Sequence, residues 1–178
     1  MMASTSEPNV LQSGQKPEAI LQEAVTNEVA KILERSKASQ SLVEYFILPG
    51  FGLDLAVFIQ RNDHFTVRFF EFKAFVGARP GGIGFGNGYG QGFQVDLLLL
   101  EKAQLDLADR FIRWILVDGT KSLGTRRFVI VNNSQAKKHA MGGVSRGKQN
   151  NLRVNSLMAA AITWDDLSRE LESFLLQV

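Results

Sequence analysis

Phe65 to Val76 reads FTVRFFEFKAFV, a β-branched and aromatic run in which Glu71 and Lys73 stand two positions apart. Side chains on a strand alternate between its faces, so this acid and this base project together. Their neighbours Phe69, Phe70, Phe72 and Phe75 are core material. The preceding segment, Leu53 to Gln60 (LDLAVFIQ), is equally apolar and is interrupted by Asp54. A buried unpaired charge costs several kcal/mol, so charges kept at such positions meet one another or a metal. The polar turn Arg61-Asn62-Asp63-His64 joins the two segments, and Pro49-Gly50-Phe51-Gly52 joins them to Ser41 to Leu48 (SLVEYFIL). Short turns between three such runs predict an antiparallel meander.

A hairpin brings Asp54 beside Glu71. Two carboxylates a few ångström apart make a hard, negative site suited to Mg²⁺, or to Mn²⁺ in its place. Such an ion polarises a phosphate and lowers the pKa of a bound water, while Lys73 would steady the charge that develops during attack. The same three residues would serve equally as a cross-strand salt bridge, and an E-x-K pair on a strand does not separate the two.

Outward from this core, Pro17 to Ser36 reads as a helix, with Pro17 in the first turn and Leu21, Ala24, Val25 and Ile32 at helical spacing. After the meander, Gly77 to Gly92 (GARPGGIGFGNGYGQG) is too rich in glycine to hold a regular element and reads as a loop. Phe93 to Phe111 looks like one helix, with Phe93, Leu97, Leu100, Leu107, Ala108 and Phe111 on one side. Ile112 to Val117 and Arg127 to Val131 read as strands, Ser134 to Arg153 has no clear pattern, and Ala159 to Thr163 suits a short strand. Thr163 with Asp166 forms a capping box for a last helix, whose stripe is Leu167, Leu171, Phe174 and Leu175. The expected fold is α/β: a mixed β-sheet, an antiparallel meander plus further strands, flanked by helices. Residues 1–16 are expected to be a flexible arm and residues 17–178 a single domain.

A helix, a meander with Asp on its second strand and E-x-K on its third, then a helix and a strand, resembles the PD-(D/E)xK, restriction-endonuclease-like nuclease superfamily. The residues that carry the likeness are Asp54 in GLDLAVF and Glu71-Phe72-Lys73 in RFFEFKAF, and it spans roughly Pro17 to Val131. Leu53 stands where the family's motif has Pro. The resemblance implies metal held by Asp54, Glu71 and the Phe72 main-chain carbonyl, with Lys73 at the attacking water. It also implies a Glu from the first helix at the metal. Glu28, central in the stripe of Leu21, Val25 and Ile32, is the match, and Glu44 is a weaker substitute. DNA as substrate and a homodimer follow from the same likeness.

Charge distribution agrees with a polyanion partner. Between Gly119 and Trp164 there is no acid, while Lys121, Arg126, Arg127, Lys137, Lys138, Arg146, Lys148 and Arg153 stand there. Such segregation suits a phosphate backbone, although a solvated basic surface has the same composition. From the glycine-rich segment onward, Arg79, Asn87, Tyr89, Gln91 and Gln94 are candidate contacts to nucleic acid. GGVSRGK at Gly142 to Lys148 fails as a phosphate loop because Gln149 replaces Ser or Thr, so no nucleotide cofactor is expected. His64 and His139 sit in polar contexts as surface residues, Trp114 and Trp164 look like packing residues, and Gln104 reads as a core amide.

The sequence contains no Cys, which excludes disulfides and thiol catalysis. The apolar run around Val95 to Leu100 is too short to span a bilayer, and the opening residues lack a signal-peptide pattern, so a cytoplasmic protein is expected. The leading expectation is a Mg²⁺-dependent DNA endonuclease, most like a type II restriction enzyme. A junction-resolving or repair nuclease, a non-catalytic nucleic-acid-binding module, and an unrelated protein-interaction domain are the alternatives.

Overall fold

A computed structural model of the chain describes residues 17–39, 44–50, 53–62, 64–75, 82–86, 90–118 and 126–177. Helix α1 (Pro17–Ala38) opens on proline, whose missing N–H is no loss in a first turn. Strands β1 (Glu44–Pro49), β2 (Leu55–Arg61) and β3 (His64–Phe75) form the expected antiparallel meander. Asn62 takes φ 46° in the turn between β2 and β3, a conformation asparagine tolerates. After β4 (Ile83–Phe85), the helices α2 (Phe93–Leu98) and α3 (Lys102–Ala108) carry the chain across to β5 (Ile112–Asp118). Strand β5 pairs parallel to β3, and β6 (Phe128–Val131) returns antiparallel to β5. The mixed sheet has the order β1-β2-β3-β5-β6.

Alternation on the strands gives the sheet two apolar faces. One receives Leu55, Val57, Ile59, Phe70, Phe72, Ile115 and Val117 and packs against α1 and the last helix. The other gathers Trp114, Leu116 and Val129 with Ile83, Phe85, Val95 and Leu98. Trp114 and Trp164 are packing residues, as expected.

Four expectations are corrected. The glycine-rich segment does hold an element: β4 pairs antiparallel with β7 (Asn150–Leu152), burying Ile83 and Phe85. Its glycines permit close approach, since a Cβ on Gly82 would lie 2.2 Å from the Leu152 carbonyl oxygen and one on Gly90 2.0 Å from that of Lys148. The helix expected over Phe93 to Phe111 is two helices, because Leu97 to Leu100 is apolar without a helical period and Glu101 turns extended; Phe93 and Leu107 are left exposed. The unassigned basic stretch contains α4 (Asn133–Lys138), capped by Asn132 and Gln135, as well as β7. In place of a strand at Ala159 to Thr163 there is a short helix, α5 (Val154–Met158), followed by one bridge between Ile162 and Phe128.

Helix α6 (Trp164–Leu176) closes the first face with Trp164, Leu167, Leu171, Phe174 and Leu175. At its start Asp166 N donates to Thr163 Oγ1, and Thr163 N donates back to Asp166. At its end Arg68 donates to the carbonyls of Phe174 and Gln177, and Arg61 to that of Leu176. Cationic donors there suit the orphan carbonyls and the negative end of the helix dipole. No described helix is long and apolar enough to cross a membrane. Thr163→Ala removes the cap and is expected to lower unfolding free energy by about 1 kcal/mol, read by urea denaturation.

Candidate active site

Strand β3 carries its Glu and Lys on the side away from Phe70 and Phe72, and Lys73 Nζ lies 2.6 Å from Glu71 Oε1. Pairing with β2 ends at Leu55 opposite Phe70, so among the described residues β3 beyond that point has no strand on this edge, while β5 continues along the other. The Phe72 N–H points into the vacated edge and donates to Asp54 Oδ2 at 2.7 Å. In an extended strand the N–H and C=O of one residue leave toward the same edge, so the Phe72 carbonyl is also directed to the Asp54 side.

Asp54 itself sits in a bend just before β2, not within the strand as expected. Its main-chain carbonyl is held by Gln22 Nε2 at 2.8 Å and by Gly50 N at 2.9 Å. The first turn of α1 reaches the same place, where Glu18 Oε1 is 3.7 Å from Lys73 Nζ. One ammonium thus faces three carboxylates, those of Glu71, Glu18 and Asp54.

Electrostatics follow from this crowding. Burial is the main force that pushes the Glu71 carboxyl up to about 7, aided by Asp54 and Glu18, while Lys73 opposes it. Burial pulls the Lys73 ammonium down, but the three carboxylates outweigh it and hold the group above its ordinary value. Lys73 is therefore a fixed positive charge and hydrogen-bond donor at neutral pH, while Glu71 changes charge close to it.

Several expected residues stand elsewhere. Glu28 is buried, but it accepts a hydrogen bond from Ser168 of α6 at 2.6 Å and has Lys31 at 3.7 Å. It lies ten residues along the helix from Glu18, about 15 Å, so the acid that α1 brings to the site is Glu18. Gln94, expected on nucleic acid, donates through Nε2 to Glu71 Oε1 and accepts from Gly86 N. Gln104 is exposed on α3 and is not a core amide. Glu44 pairs with Lys37 at 2.9 Å, away from Asp54. His64 is exposed, and His139 bonds Ser156.

Among the expected phosphate contacts, Arg146 pairs with Asp96 of α2 at 2.9 Å and Lys137 donates to the Leu100 carbonyl at 3.2 Å. Gln91, Lys138, Lys148 and Arg153 are exposed, and Arg126 is half-buried beside β6. Arg79, Asn87, Tyr89 and Lys121 lie outside the described residues. The contact of Gly90 with Lys148 sets the basic segment against the glycine-rich one, on the sheet side that carries Glu71.

The donor set suits a hard divalent cation: two carboxylates and a main-chain carbonyl, with three carboxylates in all facing the one ammonium of Lys73 once Glu71 is ionised. Among the described residues, however, no three His, Asp or Glu side chains gather closely enough to cage an ion. Any cation here would complete its shell with the carbonyl and water.

Glu71 makes a testable contribution to stability. Above its ordinary 4.5 the unfolded chain has released the proton that the folded chain still holds up to about 7, so raising pH favours unfolding over that window. Relative to Glu71→Gln, the unsubstituted protein is expected to lose on the order of 3 kcal/mol of stability from pH 4.5 to pH 7. Urea titrations at stepped pH measure this, and a constant difference would mean the carboxyl is not desolvated.

No protein-family model matches the chain and no curated protein matches it in sequence, so what the site does rests on its own geometry.

Proposed function

We propose that the chain is a metal-dependent deoxyribonuclease with a restriction-endonuclease-like fold, hydrolysing phosphodiester bonds with Asp54, Glu71 and Lys73. The observation that carries this reading is the convergence of those three groups at the edge of β3 that β2 has vacated, with more negative charge than Lys73 can balance. Asp54, Glu71 and the Phe72 carbonyl would hold Mg²⁺ or Mn²⁺. The ion's chemistry is Lewis-acid polarisation of the phosphate and a bound water of lowered pKa. Lys73, held as an ammonium, orients the attacking water and offsets the charge that builds on the phosphate oxygens. Glu71 foremost, then Glu18 and Asp54, keep that ammonium protonated, and Gln94 fixes the orientation of the Glu71 carboxyl.

The exposed cations Lys138, Lys148 and Arg153 suit the phosphates on either side of the cut. Within this class a type II restriction endonuclease fits a chain of this size, with a junction-resolving or repair nuclease as the near alternative. A homodimer would supply one site to each strand of a duplex. A binding module that cuts nothing is favoured by one observation: Glu71 Oε1 already accepts from both Lys73 and Gln94, a network complete without metal.

Incubation with supercoiled, linear and branched DNA separates these readings. Cutting is expected with Mg²⁺ or Mn²⁺, lost in chelator, and reduced about 100-fold or more by Asp54→Ala or by Lys73→Ala. Binding without cutting supports the module, and neither activity supports the protein-interaction domain. Because a cation must displace the Glu71 proton, Mg²⁺ affinity by calorimetry is expected to rise as pH goes from about 6 to about 8, with proton release on binding. A pH-independent affinity would remove Glu71 from the ligand set.

A further inference from the structure

The side of β3 that presents Glu71 and Lys73 also presents Phe65, Val67 and Phe69 further back along the strand. Register extends that surface across the meander, since Val67 pairs with Phe58 and Phe58 with Phe46. The rings of Phe46 and Phe58 lie parallel, 4.2 Å apart and 9° from coplanar, and Phe65 follows at 6.0 Å from Phe58. Neither apolar core takes up these rings. Phe46 is 52% and Phe65 64% exposed, with Leu48 beside them at 38%. Exposed rings at Phe46 and Phe65 on one sheet face are unusual, and their place on the side of the candidate catalytic groups points to what would cover them.

We propose that this surface is a stacking platform for unpaired bases of the strand being cut, which rests on the nuclease reading for where the phosphate lies. From Glu71 back to Val67 is about 13 Å and to Phe65 about 20 Å along β3, a span of a few nucleotides. Every base has a π face, so aromatic rings receive single strands without a sequence code. A duplex keeps those faces inside its own stack, so the platform selects single-stranded or splayed nucleic acid, which favours the junction-resolving or repair nuclease over the type II restriction enzyme within the proposed class. Charge agrees. The outward positions of β1, β2 and the first half of β3 carry one carboxylate, Glu44, and it is neutralised by Lys37 at 2.9 Å. Stacked bases require the ring, so a leucine substitution that keeps apolar bulk tests them directly.

The full chain is titrated in chelator with a short oligothymidylate and with a duplex of equal length. Phe46→Leu and Phe65→Leu keep apolar bulk and lose the ring, and each is expected to weaken single-strand binding about tenfold. Phe65→Trp is expected to preserve affinity and to report stacking by quenching, because Trp114 and Trp164 are buried. Leucine variants that bind as tightly as the unsubstituted protein would overturn the proposal. So would leucine variants that turn a dimer into a monomer at unchanged DNA affinity, since a second copy would then be the occupant. Failure of the nuclease reading shows separately, as absent metal-dependent cutting beside ring-dependent binding.

Discussion

A lysine ammonium and a glutamate carboxylate 2.6 Å apart, both largely out of water, are the demand that the surrounding structure meets. Desolvating each ion costs several kcal/mol, and their mutual attraction alone offsets this poorly. What makes the pair tenable is the company around it. Glu18 and Asp54 add negative charge beside Lys73, and Gln94 donates to Glu71. The result is a buried cluster of carboxylates around one ammonium that depends on the surrounding fold as much as on the pair.

Strand β3 can carry that cluster because it does two things at once. Phe70 and Phe72 anchor it in the core beneath α1 and α6, while Glu71 and Lys73 face the other way. The early end of β2 leaves β3 unpaired on one edge, which gives Asp54 a backbone N–H to hold. Parallel pairing with β5 continues on the opposite edge through residue 75.

Much of this was legible in the sequence, where period and chemistry coincide. Alternation in FTVRFFEFKAFV placed Glu71 with Lys73, the turns predicted the meander, and Thr163 with Asp166 marked the start of α6. Other features depend on distant partners. Periodicity on α1 shows that Glu28 is buried but not that its neighbour is Ser168, and nothing local distinguishes Glu18, an ordinary first-turn acid. The strand within the glycine-rich segment exists only because Asn150 to Leu152 pairs with it. Gln94 turned inward for a similar reason: Gly86 takes its oxygen and so aims its nitrogen at Glu71.

The arginine contacts that fasten the end of α6 to the β2–β3 hairpin join residues 106 to 115 positions apart. Until residues 164 to 177 have been synthesised, Leu55, Val57, Ile59 and Phe70 have no helix α6 to cover them. Until then α1 alone covers that face and part of its apolar surface stays open, the condition under which nascent proteins aggregate or recruit chaperones. Docking of α6 closes the longest loop among these arginine contacts, so the local meander can form before that face is sealed.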